Sequence, residues 1–293
     1  MMITNSTEML QKARVEHYAV PAFNVNNLEW AKAILQAGEK AQSPLILQVT
    51  SGAAKYMGSF RLAYDLIVDM HNALHITVPI SIHLDHGTYF DALKTLGISY
   101  TSVMFDGSSL PLDDNLAKTA TLRDLTKDQD VSLETEVGTI GGEEDGVIAD
   151  GEIAPVDSAV AMAKAGVDML AVGIGNIHGK YPKDWKGLNF EHLQKIDDAI
   201  FAALDKRIPL VLHGGSGIPD DQIRKAIQLG IAKVNVNTEG QLAFHQGLRD
   251  YILSDEDLQG KNYDPRILLT AGTDKLVDMC LDRIRVFGSE GKA

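Results

Sequence analysis

The sequence predicts an α/β fold of the (β/α)₈ TIM-barrel class, and three observations carry that expectation. Short apolar runs rich in Val, Ile and Leu alternate with longer stretches of helical period, eight such runs occur, and no G-x-G-x-x-G follows the first. The 293 residues suit one barrel domain over 1–293, because such barrels reach ~250 residues as single units. An amphipathic C-terminal stretch adds a helical extension. An open, doubly wound sheet is the runner-up architecture.

Strands are expected near Ala19–Phe23, Leu45–Val49, Ile80–Leu84, Thr101–Phe105, Ser132–Val137, Met169–Val172, Leu210–Leu212 and Lys233–Val236. Between and after them, helical spacing is expected over Leu28–Ala41, Arg61–Asn72, Asn115–Lys127, Val156–Ala165, Phe190–Leu204, Asp220–Leu229 and Glu239–Ser254. Pro219, followed by Asp220 and Asp221, has the composition of a helix start with acidic groups facing the macrodipole. The glycine-rich run GTIGGEEDG over Gly138–Gly146 reads as a mobile loop.

Composition narrows the function classes. With 45% hydrophobic and 23% charged residues the chain reads as globular, not disordered. A net charge of −13 argues against non-specific partnership with nucleic acid or an anionic membrane, both of which need a basic surface. Neither a signal-peptide core nor ~18 consecutive apolar residues is found, so a cytoplasmic location is expected. The single cysteine, Cys280, permits no internal disulfide and reads as a small buried hydrophobe.

Unusual polar residues gather where the expected strands end, the face on which such barrels build active sites. PISIHLDHG places Asp85 and His86 at the end of the third strand, GIGNIHGKY places His178 after the sixth, and PLVLHGGSG ends the seventh at His213. Three histidines from three strand ends, without cysteine ligands, point to a catalytic zinc with one open position. A lone histidine is usually just packed or solvated, and that reading suits His17, His71, His75, His192 and His245.

His83 shares a strand face with Asp85 and reads as a packing or ligand-orienting residue. Asp106, Glu134 and Glu136 sit on the same rim, where carboxylates hold an alternative metal position or orient ligands; solvated strand-end charge is a credible reading of Glu134 and less so of Glu136. Gly214, Gly215 and Ser216 form a turn ahead of a helix that offers backbone N–H groups and a hydroxyl to an anion, beside Asn235, Asn237 and Thr238. Loops after strands seven and eight are the usual phosphate site of these barrels.

The motifs HLDHG, ETEVGTIGGEEDG, GNIHGKY, LVLHGGSG and KVNVNTE, in that order, closely resemble the class II fructose-bisphosphate aldolases, most of all those of Gram-positive bacteria. The likeness runs from PAFNVNN to DPRILL and the terminal VFGSEGKA. It implies a lyase that splits fructose 1,6-bisphosphate into dihydroxyacetone phosphate and glyceraldehyde 3-phosphate in glycolysis and gluconeogenesis. It also implies a homodimer or homotetramer, and Zn²⁺ on His86, His178 and His213 with Glu136 and Asp106 near a second metal position. A monovalent cation is a further candidate cofactor.

By the same resemblance Asp85 exchanges a proton with the aldehyde oxygen and Glu144 takes one from the ketone carbon. Gly179, Gly215, Ser216, Asn237 and Thr238 hold the dihydroxyacetone phosphate group, and Asn235 lies near its reacting carbons. Asn24 faces the aldehyde half, while Arg266 reaches the other phosphate, from a neighbouring subunit if not from its own. The family often has serine where this chain has Thr50 followed by Ser51, so either hydroxyl is a candidate for that phosphate. A Schiff-base aldolase would need a strand-end lysine, and Lys233 and Lys180 are poorly placed for it. The alternatives are a tagatose 1,6-bisphosphate aldolase, which shares this chemistry, and a non-enzymatic phosphosugar-binding protein.

Overall fold

Short apolar runs of three to eight residues, each followed by a helix, have one compact solution: a parallel sheet closed on itself with the helices outside. A computed structural model describes residues 3–144 and 147–293, with the side chains of all of these except 144 and 147–149. In chain order its strands are β1 Val20–Asn24, β2 Leu45–Thr50, β3 Ile80–Gly87, β4 Ser102–Phe105, β5 Ser132–Val137, β6 Gly141–Glu144, β7 Val147–Ala149, β8 Met169–Val172, β9 Ile177–His178, β10 Leu210–Leu212 and β11 Ile231–Val236. The closed barrel runs β1-β11-β10-β8-β5-β4-β3-β2, all parallel, and the eight expected strands are its staves. The remaining three make a small sheet, β7-β6-β9, at the rim.

That small sheet corrects one expectation. Part of the glycine-rich run is strand: β6 pairs antiparallel with β7 and parallel with β9, so Gly142 lies opposite His178. Residues 145 and 146 of the run lie outside the described residues.

The seven expected helices are present, and three of them begin at a side-chain cap. Asn27 accepts from Trp30 N, Ser59 from Leu62 N and Asn189 from His192 N, each filling a donor the first turn leaves open. Further helices cover Thr7–Glu16, Ser51–Met57 and Tyr89–Leu96, the last begun by a capping box between Thr88 and Asp91. The C-terminal extension is the helix Pro265–Phe287, which packs on Leu28–Ala41 and Thr238–Leu253 and buries Cys280. Among the described residues no helix is long and apolar enough to cross a membrane.

The period of two along each strand sorts the barrel interior into layers. At the end where the strands begin, Val20, Ala22, Ile46, Met169, Ala171 and Val211 pack with Met9, Leu10, Ala13 and Tyr18, so the first helix plugs that end. Truncating Leu10 there would cost ~2–5 kcal/mol, the usual range for a core leucine. One step further along, the inward positions turn polar yet remain shut from solvent: Gln48, His83, Glu134 and Lys233 are each 0% exposed. The next layer, Asn24, Asp85, Glu136, His213 and Asn235, opens on the rim. Apolar floor, buried polar middle and functional rim thus lie along the same strands.

Candidate active site

A regular strand would send Asp85 and His86 to opposite faces. Instead β3 bulges: Leu84 pairs with Val103 and Gly87 with Phe105, three steps on β3 against two on β4. His86 takes up the slack at φ 47°, a left-handed conformation rare for a residue with a side chain. The bulge therefore turns both side chains to the pocket, a cleft that they line with Asn24, Gln48, His178, Ser216, Asn235 and Thr238 among others.

His86, His178 and His213 bring their ring nitrogens together at this end of the barrel. His86 Nε2 lies 3.2 Å from His178 Nε2 and 2.8 Å from His213 Nδ1. One edge of a tetrahedron built on Zn–N bonds of ~2.0–2.1 Å is about 3.3 Å, so nitrogens at these separations suit one shared cation. The far side of two rings is already committed to a carboxylate: His86 Nδ1 faces Asp106 Oδ2 at 3.1 Å, and His213 Nε2 faces Glu134 Oε1 at 2.8 Å. A second set, His86 with Asp106 and Glu136, also has the spacing of a metal site.

The local field favours a cation. Burial works against a proton on His86, yet the Asp85 charge, the Asp106 hydrogen bond and Glu136 outweigh it and raise its pKa to about 10. Carboxylates that would hold a proton on this ring would equally hold a divalent ion, to which the ring must present a lone pair. Burial, then His86, lowers His178 to about 4, and burial with His86 and Lys233 holds His213 well below its usual value. Those two imidazoles are neutral, the form that ligates metal. Burial, then the Asp106 charge, pushes Glu136 up to about 8, and its Oε2 is buried without a partner. Such an orphaned oxygen beside a second donor set is what a cation would satisfy.

The loops carrying His178 and His213 are tied to each other. Asn176 Nδ2 donates to His213 O at 3.1 Å, and the Tyr181 hydroxyl accepts from Ile177 N at 3.0 Å while donating to Gly214 O at 2.8 Å. Two glycines make room for this. Gly142 (φ +93°) and Gly214 (φ +63°) flank β9, and a Cβ on either would overlap His178 O or Ile177 O respectively. Only glycine combines those torsions with that approach.

The anion turn differs in detail from expectation. Gly215 N donates to Asn235 O at 2.9 Å, so this amide is engaged in joining β10 to β11 and is not open to a phosphate. Ser216 Oγ accepts from Glu239 N at 3.1 Å, and Glu239 Oε1 accepts from Gly217 N at 2.8 Å. Gly179, Gly214, Ser216, Asn237 and Thr238 all line the pocket, the last opening the helix Thr238–Leu253.

Three expected residues do not line the cleft. Thr50 caps the helix Ser51–Met57 by accepting from Ala53 N, and the Ser51 hydroxyl donates to Asp91 Oδ2 at 3.2 Å. Arg266 is 89% exposed and closes on Asp264, the cap of its own helix, instead of lining the pocket. Glu144 ends β6, but its side chain lies outside those described.

One residue, Gln48, emerges only from the structure, and two others change their reading. Gln48 Nε2 donates to Asn24 Oδ1 at 2.7 Å and to Asp85 Oδ2 at 3.0 Å, linking the two. Glu134 is fully buried, which corrects the reading of it as solvated strand-end charge. Lys233 sits in the middle of β11, not at its start, with Nζ 2.8 Å from Glu134 Oε2 and 3.4 Å from His83 Nε2. Tied there beneath the pocket, it is no free Schiff-base amine.

A parallel barrel whose rim joins three histidines, a carboxylate and a glycine-rich turn has the make-up of a metal-assisted active site. The model of the family "Fructose-bisphosphate aldolase class-II" matches residues 4–292. The fructose-bisphosphate aldolase of Streptococcus pyogenes serotype M3 is 50% identical, and that of Mycoplasma pneumoniae 47% identical, each over all of both chains. Among solved structures, the YdjI aldolase of Escherichia coli K12 superposes with a TM-score of 0.81 at 29% identity, covering all of both chains. The chain belongs to the class II fructose-bisphosphate aldolase family.

Proposed function

We propose that this chain cleaves fructose 1,6-bisphosphate reversibly to dihydroxyacetone phosphate and glyceraldehyde 3-phosphate, with Zn²⁺ held by His86, His178 and His213. The observation that carries the reading is the convergence of those three rings, two of which, His86 and His178, line one pocket with Asp85, in a class II aldolase chain. Bound zinc supplies a Lewis acid that stabilises the negative charge the ketone half develops as the C3–C4 bond breaks. That charge is the main barrier, since carbanion character beside a carbonyl is costly at neutral pH.

The chain's own residues do the rest. Asp85 Oδ2 accepts from Asn24 at 2.9 Å and Gln48 at 3.0 Å, and Oδ1 accepts from Asn235 at 3.2 Å. Three amides fix the carboxylate, which takes the proton of the substrate's C4 hydroxyl as the bond breaks and returns it in the synthetic direction. Glu144, on the β6 arm, delivers the proton to the carbon left behind. Gly179, Ser216, Asn237 and Thr238, with the start of the helix they adjoin, receive the phosphate of the ketone half. Arg266, which does not line its own pocket, meets the second phosphate from a neighbouring copy of the chain, in a dimer or tetramer.

The test of substrate is a coupled assay of kcat/KM for fructose and tagatose 1,6-bisphosphates. A clear preference for fructose supports the proposal; comparable or higher kcat/KM for tagatose bisphosphate overturns the choice of epimer. Binding of either sugar without turnover would favour a binding protein.

A further inference from the structure

We propose that Glu134 and Lys233 are positioning residues for the metal: Glu134 fixes the tautomer and tilt of His213, and Lys233 keeps Glu134 in place. Neither lines the pocket. The inference rests on the zinc reading of the three histidines.

The argument begins with the ring. A neutral imidazole carries one N–H and one lone pair, and the nitrogen that donates decides which one is left to ligate. Glu134 Oε1 stands 2.8 Å from His213 Nε2, and the ring's other nitrogen, Nδ1, is the one 2.8 Å from His86 Nε2. A carboxylate only accepts, so it draws the proton to Nε2 and leaves the Nδ1 lone pair facing the cluster. The same contact raises the donor strength of the ligating nitrogen.

The carboxylate then needs a reason to stay in the barrel. Glu134, Lys233 and His83 are 0% exposed, and an unpaired carboxylate at that depth would be severely disfavoured. Lys233 Nζ takes the second oxygen at 2.8 Å, and His83 Nε2 stands beside both, 3.4 Å from the Nζ and 3.5 Å from Glu134 Oε2. His83 Nδ1 lies 2.7 Å from Ser102 Oγ, which fixes that ring in turn. A chain of five side chains therefore runs from Ser102 through His83, Lys233 and Glu134 to His213. Buried ion pairs contribute little net stability compared with packed apolar groups, so stability alone does not account for this one. Orientation of a ligand does.

The test compares the wild-type chain with Glu134→Gln, Lys233→Met and the double variant. Each is stripped of metal, and zinc affinity is measured by chelator competition, with the visible spectrum of the Co²⁺ form as a second readout. Glu134→Gln should weaken zinc binding ~10–100-fold and shift the cobalt bands, the usual size of losing a ligand's outer partner. The double variant leaves no unpaired charge, so its thermal midpoint should return towards wild type while its zinc affinity stays down. That split between recovered stability and unrecovered affinity is what a purely structural pair would not give. A double variant with wild-type affinity and an unchanged cobalt spectrum overturns the proposal, as does failure of all the variants to fold, because the pair would then serve folding. If the wild-type chain binds no zinc that His86→Ala abolishes, the metal reading has failed instead.

Discussion

Asn24 donates its side-chain amide to Asp85 Oδ2 at 2.9 Å, and Gln48 bridges the same two residues from the layer beneath. Asp85 is thus rigid, whereas Glu144 lies on the β6 arm outside the barrel wall. Two proton transfers assigned to such different supports should separate on mutation. Glu144→Ala should slow solvent hydrogen exchange at the C3 methylene of dihydroxyacetone phosphate by ~10²–10⁴-fold. Asp85→Ala should stop hexose cleavage yet retain much of that exchange, because exchange never involves the aldehyde oxygen. Deuterium wash-in on both variants, with metal content checked, is the measurement; wild-type exchange in Glu144→Ala would mean that another group is the base.

Gly214 is expected to tolerate no side chain. Gly214→Ala forces a Cβ into Ile177 O at φ +63°, and strain of this kind costs about 1–3 kcal/mol. The relief available is a shift of β9, which carries His178. A lowered thermal midpoint together with weaker zinc binding is the expected pair of results, and an unchanged metal affinity would detach this turn from the histidine cluster.

Metal-free protein should lose stability as pH rises. Glu136 has its folded pKa raised from 4.5 to about 8, so its proton is held more tightly in the folded chain than in the unfolded one. Its contribution is fully present below 4.5 and lost as pH climbs through about 8. His86, raised from 6.5 to about 10, acts in the same direction over its own window. Thermal midpoints of the stripped chain should fall between about pH 6 and pH 9, and Glu136→Gln, neutral throughout, should fall less. Equal slopes would show that Glu136 is not the group responsible.

The barrel was legible because alternating β-branched runs and helical spacings leave few other packings, and the rim histidines because each follows an apolar run at its C-terminal end. Legibility failed where three-dimensional pairing decides. Glu134 and Lys233 lie 99 positions apart, and charged residues are so rarely fully buried that each alone reads as surface. The ETE and KVN alternations, which put Glu134 beneath Glu136 and Lys233 beneath Asn235, were the available signal. Gly215 misled for a related reason: a glycine-rich turn advertises open amides, but whether one is taken by a neighbouring strand depends on barrel closure. Thr50 and Ser51 resembled phosphate ligands while serving as a helix cap and a partner of Asp91.

The most direct test of the central claim is aldolase activity measured against bound zinc. The chain is stripped with a chelator, zinc is returned in measured steps, and cleavage of fructose 1,6-bisphosphate is followed together with borohydride trapping. Activity should vanish on stripping and return in proportion to zinc occupancy, His86→Ala should not recover it, and borohydride with substrate should trap no covalent adduct. A metal-free preparation that retains full activity, or an adduct on a lysine, would contradict the account.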